Sequence, residues 1–298
     1  MKKFMVLLAV PAVVFLFAGI ASAQEIEFWI PQVPTGVEIV IDAESGDWAW
    51  FPEAYAITQD KTDDSGGLEQ PALDDWDILE YMAWAPPNWL YMYCQISDDV
   101  FHISQTRNGN MWCDDCHEFL IDADLSGGNY RTEESHGRTA QQYGVWCIVE
   151  PENPVRGLDG YSISSLWCED ELQWAGGPPE LVAAVKLPDG IHDVTYAYEV
   201  KVSVWDELMP TKEASTPHIF SDGDKLGFTW MWDDNDGEGR ESNMGLLGRA
   251  GDAWTDADLC AVFGCVGLAG PTVIDLTVTP SEVKKGETIT IRATGTTE

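Results

Sequence analysis

Basic side chains are scarce in this 298-residue chain: 16 Lys and Arg stand against 51 Asp and Glu, for a formal net charge of −35. So acidic a surface repels phosphate backbones and anionic lipid, which excludes nucleic acid as a partner. Beyond residue 20 no apolar run is long enough to span a bilayer, so the mature chain is not expected to insert in a membrane. G-x-S-x-G, H-E-x-x-H and glycine-rich nucleotide loops are all missing, and no helical period runs longer than about two turns. These absences exclude serine hydrolases, zincins and doubly wound α/β folds. His102, His136, His192 and His218 show no metal-ligand spacing. Among 51 acids, carboxylate pairs fall close together by chance, so a glycosidase acid/base pair cannot be inferred from them. The expectation is a non-catalytic binding module, appended to a glycoside hydrolase or to another polysaccharide-processing or surface protein.

The chain opens with Lys2 and Lys3, an apolar run from Phe4 to Ile20, and Ala21-Ser22-Ala23. This is the three-part pattern of a signal peptide cleaved near Ala23, implying a secreted, periplasmic or cell-surface protein. Its removal takes away two basic residues and no acids, shifting the formal charge to −37. Seven cysteines in an exported chain suggest disulfides with one thiol left over. The preferred pairs are Cys147 with Cys168, flanking a hairpin, and Cys260 with Cys265, bracketing a Gly-containing turn. Fourteen tryptophans are far above ordinary usage and supply an ample core.

Short runs separated by turn signals read as strands. The first is Val37 to Asp42, after an extended lead-in holding Pro31 and Pro34. Ile78 to Ala85 and Trp89 to Ile96 form a hairpin about Pro86-Pro87-Asn88, and Met111 to Asp122 runs from an aromatic-acidic loop into an alternating strand. Tyr143 to Val149, Tyr161 to Cys168, Leu181 to Leu187, Leu226 to Trp232 and Leu259 to Leu268 follow the same logic. Thr195 to Trp205 alternates most cleanly, with Tyr196, Tyr198, Val200, Val202 and Val204 on one face. The pattern predicts an all-β fold, a jelly-roll-like antiparallel β-sandwich over residues 24–270. Residues 271–298 lose the tryptophans, and VIDLTVT and ETITIRA read as a linker and the first strands of a truncated immunoglobulin-like module.

The stretch MWCDDCHEFLID organises the site. Its alternation sends His117, Phe119 and Ile121 one way and Glu118, Leu120 and Asp122 the other, with Trp112 and Asp115 where the loop meets the strand. An indole offers a π-face to the CH-rich face of a sugar ring while neighbouring carboxylates bind hydroxyls. VEIVID with Asp47-Trp48, the strand ending in Asp98-Asp99, Trp112 with Asp115, Glu118 and Asp122, YEVKVSVWDEL, DKLGFTWMWDDND and Trp254 with VFGCVGL occur in that order. Together, over roughly residues 37 to 268, they resemble family 9 carbohydrate-binding modules and their relatives in the DOMON-like sandwich superfamily. The resemblance implies an oligo- or polysaccharide ligand clamped between two aromatics, with Trp112 and Glu118 as the first aromatic and its acid. Where it implies a second aromatic, this chain has Asn243-Met244-Gly245. Trp254 is then the substitute, and Asn243 and Arg138 the further hydrogen-bonding groups.

Two other readings attach to the same sequence. D-N-D-G-E-G places Asp234, Asp236 and Glu238 at alternate positions, the oxygen-rich spacing of a structural calcium loop, although a bidentate Glu at the twelfth position is lacking. C-D-D-C-H has the spacing of a c-type haem attachment, which would make the domain a haem-binding electron-transfer protein of the DOMON-like group. Haem is disfavoured because His117 begins a strand that buries Phe119 and Ile121; a Cys113–Cys116 disulfide, or other partners for these thiols, is preferred to it. A structural surface module without a small ligand is the third alternative.

Overall fold

The structure, a computed structural model, describes residues 25–64, 71–73, 75–103, 112–131, 137–148, 161–166, 170–237, 239–247, 249, 253–267, 276–279 and 290–293. The signal-peptide reading and the Cys147–Cys168 pairing lie outside the described residues. In chain order the strands are β1 (Phe28–Pro31), β2 (Ile57–Thr58), β3 (Thr62–Asp64), β4 (Trp76–Ala85), β5 (Trp89–Val100), β6 (Cys116–Asp122), β7 (Gln141–Ile148) and β8 (Tyr161–Leu166). They continue as β9 (Leu181–Lys186), β10 (His192–Ser203), β11 (Trp205–Glu207), β12 (Thr216–Pro217), β13 (Lys225–Asp234), β14 (Ser242–Leu246) and β15 (Ala261–Val266). One sheet runs β1-β15-β13-β6-β7-β8, with β14 and β3 adding to it beside the outer end of β13. The other runs β2-β4-β5-β10-β9. The fold is an all-β sandwich, as the alternation predicted. Among the described residues no helix is long and apolar enough to cross a membrane. VIDLTVT and ETITIRA contribute β16 (Leu276–Thr279) and β17 (Thr290–Ala293), which pair antiparallel as a two-stranded ribbon.

Inward residues of the two sheets form one core. Trp76, Trp84, Trp205, Trp230 and Trp232 are each at most 2% exposed within it, and the β10 face Tyr196, Tyr198, Val200 and Val202 packs against them. Burying a large apolar side chain is worth about 1.5–3 kcal/mol, so this layer dominates the fold's stability.

The first departure from expectation is VEIVID. It alternates in exposure but joins no ladder, and lies over the outer face of the smaller sheet. Its anchors are side chains. Glu199 Oε2 accepts the backbone N–H groups of Asp42 (2.9 Å) and Ala43 (2.8 Å), and Oε1 accepts Trp48 Nε1 (2.7 Å). Glu199, on the face of β10 opposite Tyr198 and Val200, is therefore buried. The strand that opens the sandwich is instead β1, in the stretch read as a lead-in, which pairs parallel to β15.

Burial raises the Glu199 carboxyl from 4.5 to about 7 despite its three donors. Between those values the folded chain keeps a proton that the unfolded chain has released, so this group's contribution to stability falls as pH rises from about 4.5 to 7. Glu199→Gln sets an amide NH2 against one of the donors. It is expected to cost about 1–3 kcal/mol at pH 5, with a smaller gap from wild type at pH 8, as read by urea unfolding at both values.

Cys260 and Cys265 correct a second expectation: both are free thiols. The residues between them form β15 rather than a turn. Five steps along a strand separate their Cα atoms by about 16 Å and put them on opposite faces, whereas a disulfide needs about 4.4–6.8 Å. Cys113 and Cys116 are also free.

Candidate functional site

β6 lies in the middle of the larger sheet, and its alternation divides the chemistry between two faces. Phe119 and Ile121 enter the main core, while Leu120 packs on the opposite side with Tyr130, Ala140, Ala257 and Cys260. On that outer side register places Met231 of β13 and Gly144 of β7 beside Glu118, Asp233 beside Cys116, and Asn243 of β14 beside Asp233.

Two runs of contacts lie on this face, adjoining where Cys116, Glu118 and Asp233 bring their side-chain atoms within 4.8 Å of one another. Arg240 lies over the Trp112 ring, 5.1 Å from its centroid, and donates to Asp233 Oδ1 at 2.9 Å. Asn243 Nδ2 donates to the same oxygen at 2.7 Å, and the Cys116 thiol meets Asp233 Oδ2 at 3.5 Å. Glu118 accepts from Gln142 Nε2 at 3.1 Å, and Arg131 Nη1 donates to Gln142 Oε1 at 3.4 Å. Arg131 in turn lies 4.7 Å from the Trp254 ring centroid. Tyr130 holds the Trp254 segment through its hydroxyl, which donates to the Trp254 carbonyl at 2.5 Å.

Trp112 and Trp254 are each 42% exposed, in a protein whose other large aromatics are mostly buried. An indole with a guanidinium against it is held in orientation by cation–π attraction, so little rotamer freedom remains to be lost when a ligand stacks on it. Between the two indoles the floor is polar and buried. Burial, reinforced by the neighbouring Asp233 charge, pushes Glu118 well above the carboxylate range. Burial likewise lifts Asp233 to about 6, opposed by Arg240 and Asn243. Although burial disfavours its charge, Asp233 holds Arg240 above its ordinary value. Such a floor offers acceptors and donors to hydroxyls in a low-dielectric setting, where each hydrogen bond is strengthened.

The structure thus brings Trp112, Glu118, Asn243 and Trp254 together. Arg138 lies apart, its guanidinium donating to Glu171 at 2.6 Å and contacting Met209 Sδ at 3.5 Å. Asp233, Arg240, Arg131 and Gln142 were not anticipated; the visible signal was only that Asp233 continues the outward parity of β13 from Met231.

A second constellation occupies the rim where β4 and β6 begin and β5 and β13 end. Asp98, Asp115 and Asp234, all at most 4% exposed, bring carboxylate oxygens within 4.8 Å of one another. Asp75, Asp99 and Asp236 form a second such group. Of the anticipated calcium ligands, Asp234 and Asp236 therefore fall into two adjoining groups, and Glu238 lies outside the described residues. Burial together with the neighbouring carboxylates lifts Asp234 to about 8 and Asp236 to about 6. Asp115 also ties the rim to the Trp112 loop: Oδ1 accepts the Asn235 N–H at 2.9 Å, and the Asn235 amide donates to the Cys113 carbonyl.

Cys116 and His117 occupy opposite faces of β6. The thiol faces Asp233 on the outer side, and the imidazole lies inside the sandwich between Phe119, Trp230 and Trp232.

Comparison of the sequence with protein-family models finds no match, and comparison with curated proteins finds none either. Among solved structures, the chain is similar to a family 9 carbohydrate-binding module from Caldicellulosiruptor kristjanssonii in complex with glucose. The TM-score is 0.52 at 15% identity, covering 80% of this chain and 95% of that one. A family 9 module of the same organism in complex with cellotriose matches with TM-score 0.51 at 15% identity, over 84% of this chain and 98% of that one. At that identity the likeness establishes a shared sandwich fold.

Proposed function

We propose that this domain is a non-catalytic module that binds neutral carbohydrate on the outer face of its larger sheet. The observation that carries the reading is the pair of exposed indoles, Trp112 and Trp254, each backed by an arginine and joined by a buried polar floor. Neutral sugar suits the site because Arg240 already neutralises Asp233 while the surrounding surface repels anions. The solved modules of similar fold hold glucose and cellotriose, which makes glucose and cello-oligosaccharides the first ligands to try. Titration of the intrinsic tryptophan fluorescence with these sugars, and with xylo- and manno-oligosaccharides in parallel, is expected to show saturable change with at least one of them. No response to any neutral saccharide would sink the reading.

The electron-transfer alternative draws no support from the C-D-D-C-H segment, since a c-type haem needs both thiols and the histidine to converge on one porphyrin. Calcium at the rim supports the same function structurally. Oxygen ligands on four separate elements suit its flexible coordination, and a cation there offsets the mutual repulsion of the carboxylates. The rim abuts the Trp112 loop, so its occupancy fixes the sugar platform. Export after removal of residues 1–23, attachment to a larger polysaccharide-processing or surface protein, and an immunoglobulin-like module opening at residue 271 complete the proposal.

A further inference from the structure

The larger puzzle lies in the core, away from the sugar face. Glu80 of β4 and Cys94 of β5 are directly opposed in register, and both point into the space between the sheets, where His117 arrives from β6 of the facing sheet. None of the three is more than 1% exposed. An imidazole nitrogen, the thiol sulfur and a carboxylate oxygen all lie within 4.8 Å of one another, with His117 Nε2 3.9 Å from Glu80 Oε2.

These groups are not satisfied by the protein. Both oxygens of Glu80 and both ring nitrogens of His117 are buried without a hydrogen-bond partner. The Trp230 indole is near enough to favour the charged carboxylate, yet its Nε1 also closes no hydrogen bond. Each orphaned buried polar atom costs about 1–3 kcal/mol, which four such atoms multiply into a large share of a domain's usual 5–15 kcal/mol. Apolar residues would fill the same volume without that cost, so the choice of three ligating side chains calls for a guest.

We propose that Glu80, Cys94 and His117 form a structural site for a transition-metal dication of the zinc class, buried between the two sheets. The donor set decides the class. Nitrogen, sulfur and oxygen on three strands are what zinc accepts, whereas calcium and magnesium require oxygen donors and would leave the thiol unused. The 3.9 Å nitrogen–oxygen separation is close to the edge of about 3.4 Å that two bonds of about 2.0–2.1 Å make in a tetrahedron. A thiolate, a carboxylate and a neutral imidazole carry two negative charges, which the dication cancels in a medium where residual charge is costly. The second Glu80 oxygen or a trapped water supplies the fourth position. Enclosure on all sides means that the ion enters as the sheets close, so it acts as a folding cofactor that clamps them together.

The site is distinguishable from the oxygen-rich rim and from the outer-face Cys116. Unfolded chain is refolded with cobalt(II) in place of zinc, and thiolate-to-cobalt charge transfer is read in the near ultraviolet beside metal stoichiometry by mass spectrometry. With excess calcium present to occupy the rim carboxylates, one equivalent of cobalt per chain with a thiolate band is expected in wild type and in Cys116→Ala, and loss of both in Cys94→Ala, a small-for-small exchange in the core. Refolding in zinc should also give a higher melting temperature than refolding in chelator. Should Cys94→Ala fail to fold, wild type and Cys116→Ala decide the matter. A metal-free wild type with native near-ultraviolet circular dichroism and an unchanged melting temperature overturns the proposal, as does a thiolate band that survives in Cys94→Ala or vanishes in Cys116→Ala.

Discussion

Trp112→Ala is expected to weaken saccharide binding by about 10- to 30-fold, the ~1.4–2 kcal/mol typical of an exposed aromatic anchor, and Trp254→Ala by a similar factor. Both indoles stand partly in solvent, so their removal leaves the core intact and the loss should appear in affinity with little change in melting temperature. The double variant should show no measurable binding, because a ring stacked from neither side keeps only hydrogen bonds that water also offers. Arg138→Ala serves as the control. It breaks a contact with Glu171 away from the indoles and should bind sugar as wild type does. Isothermal titration with the best ligand of the panel measures all four proteins. Wild-type affinity in both single tryptophan variants would remove the outer face of the larger sheet from consideration.

Calcium is expected to raise the melting temperature and chelator to lower it. A site filled a hundredfold above its dissociation constant contributes about 2.7 kcal/mol, equivalent to roughly 5–10 °C for a domain of this size. Magnesium should do much less, since it demands a regular octahedron that carboxylates from several elements cannot supply. Asp98→Asn with Asp115→Asn should abolish most of the response, as both carboxylates lie in the buried half of the rim. Chelation should also weaken sugar binding, because Asp115 and Asn235 together hold the segment that carries Trp112. An undiminished calcium response in the double variant would place the ion elsewhere.

What the sequence disclosed followed from how local each signal was. β6 and β10 were legible because their residue types alternate, although β6 is buried along its whole length and β10 on both faces through its middle. VEIVID alternates equally well, yet the Asp42 N–H at its end is met by Glu199, 157 residues away, and no local pattern reports such a partner. The same holds for the rim. D-N-D-G-E-G spans six consecutive residues, whereas Asp115 reaches Asp234 only when β6 pairs with β13, and Asp98 only once the two sheets have packed. Trp112 and Glu118 were read from ordered motifs, and Trp254 and Asn243 were put forward where the chain departs from that pattern. Arg131, Gln142 and Arg240 were not, because single polar residues carry no periodic signature. The Cys260–Cys265 pairing failed because nearness along the chain was taken for nearness in space.

The parallel pairing of β1 with β15 gives the sandwich a mechanical character. Phe28 to Pro31 run alongside Phe263 to Val266, with the Glu27 and Gln32 N–H groups donating to the Val262 and Val266 carbonyls at 2.8 Å each. Chain enters this ladder at one end of β1 and leaves at the opposite end of β15. Tension between residue 27 and residue 267 therefore loads the hydrogen bonds in shear, all at once, instead of peeling them one by one. Unfolding under force is governed by a barrier rather than by equilibrium stability, and a sheared ladder raises that barrier.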